Sequence, residues 1–398
     1  MKRLFWFGCL TYLLNGFAHV IIGSVLPLLL HHYDGRYQDG GTLLFLQFAG
    51  FLCGVLATPA ISSRIGSRGT LIVSAAALFL AETGYAMLPP WPVMLVLAPI
   101  AGIGFGVSEA VVGAVVIEAS PQERKAIAMS RLEVMFGVGA LAMPIVSWLA
   151  AEAGWWRGSF VFLSLFSLFM LVSWSTLSFG GKMNAFLSAE RHGAESTSAG
   201  ASASSLYRGK GFLIAMFLLF FILYVGTEMS IVNFFPSILI ESYRLQESTA
   251  TASISLFWFT MVIGRVYCGV LAEKMTYSRY LLWSCAGAAA LLFVYTTVGQ
   301  AWLAMTIVAL LGLLMSGMFS IALIYVNHLV PGTTEKTTSL MIAAAGVGGA
   351  VLPFAVGWGM DHLPLLPVKL TFGISVALLF ALIAAVKRRD VKFIRNRQ

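Results

Sequence analysis

Apolar stretches long enough to cross a lipid bilayer recur along the whole chain, and they leave a membrane-embedded helix bundle as its fold. A hydrocarbon layer about 30 Å thick takes roughly 20 residues of helix at a rise of about 1.5 Å per residue. Twelve stretches meet that length, at 4–30, 41–61, 70–88, 92–118, 126–152, 158–180, 211–240, 248–272, 279–298, 301–330, 337–360 and 365–386. Only 11% of the 398 residues are charged and 59% are hydrophobic, far from the roughly 25% charge of soluble domains. The first stretch follows Met-Lys-Arg as a secretory leader would. It is too long for one, however, and runs into His31-His32-Tyr33 without a small-residue cleavage site, so it is expected to stay in the protein.

Charge then orients the chain. The net charge is +8, but the basic residues stand singly between apolar runs and form no stripe interleaved with aromatics, which excludes a nucleic-acid partner. With the N-terminus inside, all but Arg36, Arg157, Arg244 and Lys369 of the 25 Lys and Arg fall beside inner loops and tails. The positive-inside rule therefore places both termini in the cytoplasm, with the protein in the plasma membrane. The basic tail from Lys387 to Arg397 is a stop anchor that meets anionic lipid. Cys9, Cys53, Cys268 and Cys285 lie inside apolar segments without metal-ligand spacing and read as packing residues.

One long polar stretch, Lys182 to Lys210, carries flexible-linker chemistry in Glu195-Ser-Thr-Ser-Ala-Gly-Ala-Ser-Ala-Ser-Ser. It divides the chain into an N-terminal six-helix bundle (1–180), a cytoplasmic linker (181–210) and a C-terminal six-helix bundle with a basic tail (211–398). An internal repeat at an offset of about 210 supports that division. Pro27 falls opposite Pro236 and Gly54 opposite Gly264. The turn Ser120-Pro121-Gln122-Glu123-Arg124-Lys125 is echoed by Val330 to Lys336. Phe136-Gly-Val-Gly-Ala-Leu-Ala-Met-Pro144 is echoed by Ala345-Gly-Val-Gly-Gly-Ala-Val-Leu-Pro353.

The stretch Gly264-Arg265-Val-Tyr-Cys-Gly269-Val-Leu-Ala-Glu273-Lys274 resembles the major facilitator signature, in which a glycine, an acid and a base staple two helices at the cytoplasmic face. Ser62-Ser63-Arg64-Ile65-Gly66-Ser67-Arg68 resembles a degenerate first-half copy, with Ser63 where the acid usually stands. By helix count and repeat the resemblance covers essentially all of the chain. It implies an all-α membrane protein with twelve transmembrane helices in two pseudo-symmetric six-helix bundles. Within the superfamily the chain is most similar to fucose/proton-symporter-like sugar porters. That likeness rests on Gly104-Phe-Gly106-Val-Ser-Glu109, on Gly226-Thr-Glu228-Met-Ser-Ile-Val-Asn233-Phe-Phe-Pro236, and on Ser253-Ile-Ser255-Leu-Phe-Trp258. It departs from the fucose-type pattern in the first helix, where Asn15 and His19 stand in place of an acid. Drug/proton antiporters are the second resemblance, but Ala98 occupies the place of their usual arginine.

An ionisable residue at membrane depth costs a few kcal/mol or more, so each must face a cavity or a partner. Glu228 lies about 25 Å into the seventh stretch, with Tyr224 one turn earlier on the same face. Asn15 and His19 fall at nearly the same places on the first stretch by the repeat offset, and Tyr12 extends their line. The resemblance puts the first and seventh helices on the central cavity, which implies a sugar site of Asn15, His19, Tyr224, Glu228, Asn233, Trp258 and Asn327. Hydroxyls need paired donors and acceptors there, and an aromatic ring such as Trp258 suits the apolar side of a pyranose. Glu109, with Glu228, is the candidate proton carrier. Arg64, Arg68, Glu118, Arg131, Glu133, Arg265 and Glu273 are the candidate inner-face gate and charge network. Glu82 lies on a third helix expected to pack away from the cavity. Thr251, Ser255 and Trp258, and Ser316, Ser320 and Asn327, form polar stripes at helical spacing.

No phosphate-binding loop, metal-ligand cluster or nucleophile–base set occurs in the sequence, so the chain is not expected to be an enzyme or to carry a cofactor. The expectation is a monomeric secondary transporter that moves a small polar solute, a sugar, by proton-coupled symport. The two halves would rock around a midplane site in alternating access. Drug or amphiphile efflux and lipid transport in the same fold are the alternatives, the latter because of the 29 Phe and 10 Trp.

Overall fold

The computed structural model describes residues 2–119, 125–181, 187, 210–330 and 334–395. Its elements are α1 (Lys2–His32), α2 (Tyr37–Ala86), α3 (Trp91–Ala119), α4 (Lys125–Glu152), α5 (Gly158–Thr176), α6 (Gly211–Tyr243), α7 (Glu247–Met275), α8 (Tyr277–Thr297), α9 (Ala301–Met315), α10 (Met318–Leu329), α11 (Thr334–His362) and α12 (Leu365–Arg395). No strand occurs among the described residues. In lipid every backbone N–H and C=O must be satisfied within the protein, and helices do so segment by segment. The expected turn at 120–124 and the linker apart from 181, 187 and 210 lie outside the described residues.

Among the described residues eleven helices are long and apolar enough to cross a membrane, against twelve expected stretches. The difference lies in α2, whose 50 residues would reach about 75 Å if straight. The loop expected between 61 and 70 is instead a bend at one residue, Gly66, with φ 72° and ψ 166°. The same turn recurs 210 residues later at Thr276, with φ 76° and ψ 142°, where α7 gives way to α8. A second difference is inside the tenth stretch. One crossing, Ala301–Leu329, is interrupted between α9 and α10 at Ser316 and Gly317.

The chain falls into two compact units. The first is Met1–Ser196 with Gln246–Ser255, the second Thr197–Leu245 with Leu256–Gln398. The start of α7 thus belongs to the first unit, where Thr251 Oγ1 donates to the Ser24 carbonyl at 2.8 Å.

Each unit is knitted by close backbone approaches that keep the repeat offset. A Cβ on Gly102 of α3 would meet the Gln47 carbonyl of α2 at 1.9 Å, and one on Gly312 of α9 would meet the Phe257 carbonyl of α7 at 2.2 Å. A Cβ on Gly139 would meet the Leu13 carbonyl at 2.2 Å, and one on Gly348 that of Ile222 at 2.0 Å. Small residues let membrane helices approach this closely, which matters where lipid removes the hydrophobic drive for association. A tyrosine strap repeats as well. Tyr33 donates to the Pro89 carbonyl and Tyr243, 210 residues on, to that of Val298 at 2.8 Å.

Arg68 has an outright structural bond set. Its Nε donates to the Trp174 carbonyl at 2.8 Å and one terminal nitrogen to those of Ser175 and Leu177, both at 2.9 Å. These are the carbonyls that the end of α5 leaves without helical partners. Arg64 beside it is exposed. Of the cysteines, Cys9, Cys268 and Cys285 are buried and Cys53 is exposed, and all four are free.

Candidate functional site

Two polar clusters lie inside the apolar helices, one in each unit. In the first, Asn15 of α1 is completely buried. The Ser108 hydroxyl of α3 lies 2.7 Å from its Oδ1 and 2.9 Å from the Phe105 carbonyl, while Asn15 Nδ2 has no hydrogen-bond partner. One turn further along α1, the His19 ring is boxed edge-on by Phe48, Phe105 and Phe136, with centroids 5.0, 5.6 and 5.4 Å away. On the other side of Asn15, Tyr12 donates to the Glu109 backbone carbonyl at 3.3 Å. Glu109 and Glu133 act on each other and on Tyr12 electrostatically. Glu133 therefore stands with Glu109, whereas the sequence reading grouped it with Arg131 and Glu118. Arg131 is exposed, with its charge felt by Cys9. The Glu118 and Glu273 side chains lie outside the described residues.

In the second unit, Glu228 and Tyr224 of α6 are buried and hydrogen-bonded to each other, and the Tyr224 hydroxyl also reaches the Met315 carbonyl at 3.0 Å. The cation that acts on Glu228 is Arg265. This arginine is 5.8 Å from the centroid of the buried Trp258 ring. Arg265 thus belongs to the buried cluster by its neighbours, and the Trp258 ring is engaged by a cation of its own chain. Asn233 is completely buried, with Nδ2 donating to the Met229 carbonyl at 2.8 Å and Oδ1 left over. Asn327 stands apart. Its Nδ2 lies 2.9 Å from Thr338 Oγ1, where it stitches α10 to the first turns of α11. Ser316 turns back to the Leu313 carbonyl at 2.8 Å.

The equivalent close approaches of Gly139 to Leu13 and of Gly348 to Ile222 set the register of α1 against α6 at 209 residues, and at that offset Tyr224 and Glu228 fall on Asn15 and His19. Two residues escaped the sequence reading. Gln47 of α2 is 2% exposed, donates from Nε2 to the Ala18 carbonyl at 3.1 Å and keeps Oε1 unpartnered. Thr227, 1% exposed, also has an unpartnered hydroxyl. Both were marked by the signal that found Glu228, a polar residue inside an apolar run.

Buried groups without partners are costly, because each forgoes its hydrogen bonds to water. Asn15 Nδ2 is a donor. Gln47 Oε1, Glu228 Oε1 and Asn233 Oδ1 are acceptors, and Thr227 Oγ1 is both.

The family model described as Major Facilitator Superfamily matches residues 8–353 and again 216–396. The chain belongs to the major facilitator superfamily. The second match, over the C-terminal half, is what an internal repeat gives. Among relatives of this facilitator, the glucose/mannose transporter GlcP of Bacillus subtilis (strain 168) is 30% identical over 396 residues, covering 98% of this chain and 96% of that protein. In fold it is similar to a D-xylose-proton symporter, with TM-score 0.77 at 15% identity over 95% of this chain and 96% of that one. It is similarly close to the nucleoside transporter NupG, with TM-score 0.76 at 13% identity over 97% and 99%. At those identities the two structures speak for the fold alone. The matched proteins are transporters, not enzymes.

Proposed function

We propose that this protein carries a small sugar, of the hexose kind handled by its glucose/mannose relative, across the plasma membrane by proton-coupled symport in alternating access. End-to-end likeness to that relative supports the substrate class. The observation that carries the coupling is the Glu228 cluster. The Tyr224 hydroxyl has one proton for two acceptors, and when it donates to Met315 its oxygen is left to accept from a protonated Glu228. Once Glu228 has lost that proton, Arg265 balances the carboxylate. Glu109, beside Glu133, is the carrier in the first unit. Within each unit the unpartnered atoms, those of Asn15 and Gln47 in the first and of Thr227 and Asn233 in the second, are suited to sugar hydroxyls.

In this reading the second and third crossings are the two arms of α2 on either side of Gly66, which makes twelve crossings with both termini cytoplasmic. Residues 1–180 and 211–398 are the moving halves, and the working unit is a monomer.

The test is reconstitution in liposomes with a trapped pH dye. Glucose or mannose added on one side should drive alkalinisation of that side. Glu228→Gln and Glu109→Gln should abolish sugar-driven proton movement while sugar exchange survives. Drug-driven proton exchange, or sugar flux without proton movement in the wild type, would sink the proposal.

A further inference from the structure

The crossing formed by α9 and α10 is interrupted in a place that water does not reach. α9 ends at Met315 and α10 starts at Met318, and Met315, Ser316, Gly317 and Met318 are all buried. Peptide groups there must find partners inside the protein. Neighbouring helices crowd this joint. A Cβ on Gly264 of α7 would stand 2.2 Å from Ser316 Oγ, and one on Gly317 would stand 2.3 Å from the Tyr280 hydroxyl of α8 and 2.6 Å from Cys268 Cβ of α7.

Tyr224 of α6 spans the interruption. Its hydroxyl donates to the carbonyl of Met315, the last residue of α9, at 3.0 Å. Its ring centroid lies 6.4 Å from that of Phe319, in the first turn of α10, and 6.2 Å from that of Phe220, stacked with planes 6° apart. The same hydroxyl is hydrogen-bonded to Glu228, one turn along α6. Arg265 of α7 acts on both residues and Tyr280 of α8 on Tyr224, while among the described residues no titratable group of α11 or α12 acts on either.

A tyrosine hydroxyl has one hydrogen to donate. Facing a protonated carboxyl, it accepts from Glu228 and donates to Met315. Facing a carboxylate, which only accepts and binds donors more strongly than a peptide carbonyl does, it turns its hydrogen to Glu228. The Met315 carbonyl then lacks that partner, and a buried carbonyl without one is costly. The donor that an unbroken helix offers it is the Phe319 N–H, four residues on. We infer that Tyr224 is a positioning residue that passes the protonation state of Glu228 to this joint: α9 and α10 stay interrupted while Glu228 holds its proton and join into one helix when the proton leaves. The departing proton is the carboxyl's own; that of Tyr224 only changes its acceptor. The coupling rests on Glu228 as the proton carrier of the proposed symport.

The experiment is hydrogen–deuterium exchange of the purified full-length protein in detergent, without sugar, from acid to alkaline buffer, with intrinsic exchange rates divided out. Peptides covering 313–322 report the joint. In the wild type their protection should rise with pH by about threefold or more, the effect of one hydrogen bond. Glu228→Gln keeps a neutral side chain that can donate to Tyr224, so the joint should stay at the weakly protected, acid level at every pH. Tyr224→Phe leaves Met315 to the Phe319 N–H and should hold the joint at the protected, alkaline level throughout. Two variants that depart from wild type in opposite directions cannot both be reporting a loosened fold. Protection that ignores pH in the wild type, or that falls in Tyr224→Phe as it does in Glu228→Gln, would overturn the proposal. Sugar-driven proton movement, measured beside it, keeps the two readings apart: a titrating joint without symport sinks symport alone, and symport with an unresponsive joint sinks this coupling alone.

Discussion

Replacing Gly312 by alanine adds one methyl group at the tightest point between α9 and α7. Its Cβ would lie 2.2 Å from the Phe257 carbonyl oxygen and 2.4 Å from Thr260 Oγ1, where ordinary contact begins at 3.4 Å. The hydroxyl can rotate away, but the carbonyl belongs to a helix backbone, so the helices must part by more than 1 Å. Overpacking of that kind costs about 1–3 kcal/mol. Gly269 on the same α7 gives the control, since a Cβ there meets nothing within 4 Å. Alanine at that position should be neutral or gain up to about 1 kcal/mol of helix propensity. The two variants should therefore differ by about 1–4 kcal/mol although the chemical change is the same. Thermal unfolding in one detergent should place Gly312→Ala several degrees below wild type, and Gly269→Ala at or above it. Gly102→Ala, with the Gln47 carbonyl at 1.9 Å, should repeat the loss in the first unit. Equal melting temperatures for Gly312→Ala and Gly269→Ala would refute the claim that backbone contact at these glycines holds the units together.

Three further outcomes follow from local geometry. Thr276 is β-branched at φ 76°, a backbone region that costs a side chain about 1–3 kcal/mol, so Thr276→Gly should raise the melting temperature; a lowered one would show that the threonine side chain outweighs its strain. Arg68→Ala removes three bonds to the last carbonyls of α5 and should destabilise by about 1.5–3 kcal/mol, with Arg68→Lys recovering only part, as scored by folded yield on size exclusion. Arg265→Ala leaves Glu228 buried without its cation and should cost about 3–5 kcal/mol, while the double change Arg265→Ala with Glu228→Gln should melt higher than Arg265→Ala alone.

Much of the fold was legible because the bilayer imposes a length on every helix and the repeat imposes a register. Gly54 opposite Gly264, read from the sequence, proved to be two equivalent close approaches, with Cβ distances of 2.8 and 2.9 Å to the carbonyls of Ile103 and Leu313. The breaks were harder. Gly66 turns the chain within one residue, and polarity there resembles any loop. The interruption at Ser316 and Gly317 lies inside an unbroken apolar run. Glu228 stood out by the cost of its burial. Its pairing with Arg265 did not, because the signature motif pointed that arginine to the membrane face. Asn15 and His19 could be set opposite Tyr224 and Glu228 because α1 and α6 keep an offset of 209, the one that the close approaches at Gly139 and Gly348 share. Glu82 was set aside on the habit of its helix, although its completely buried acid is as costly as any in the chain.

The turn at Gly66 has a mechanical side. A joint of a single residue holds no slack, so the two arms of α2 are coupled like those of a bell crank, and a tilt of one must swing the other. Thr276 makes the same joint between α7 and α8. A flexible insert at either point would uncouple the arms without touching one polar side chain, and a carrier so altered should still bind its cargo and fail to turn over.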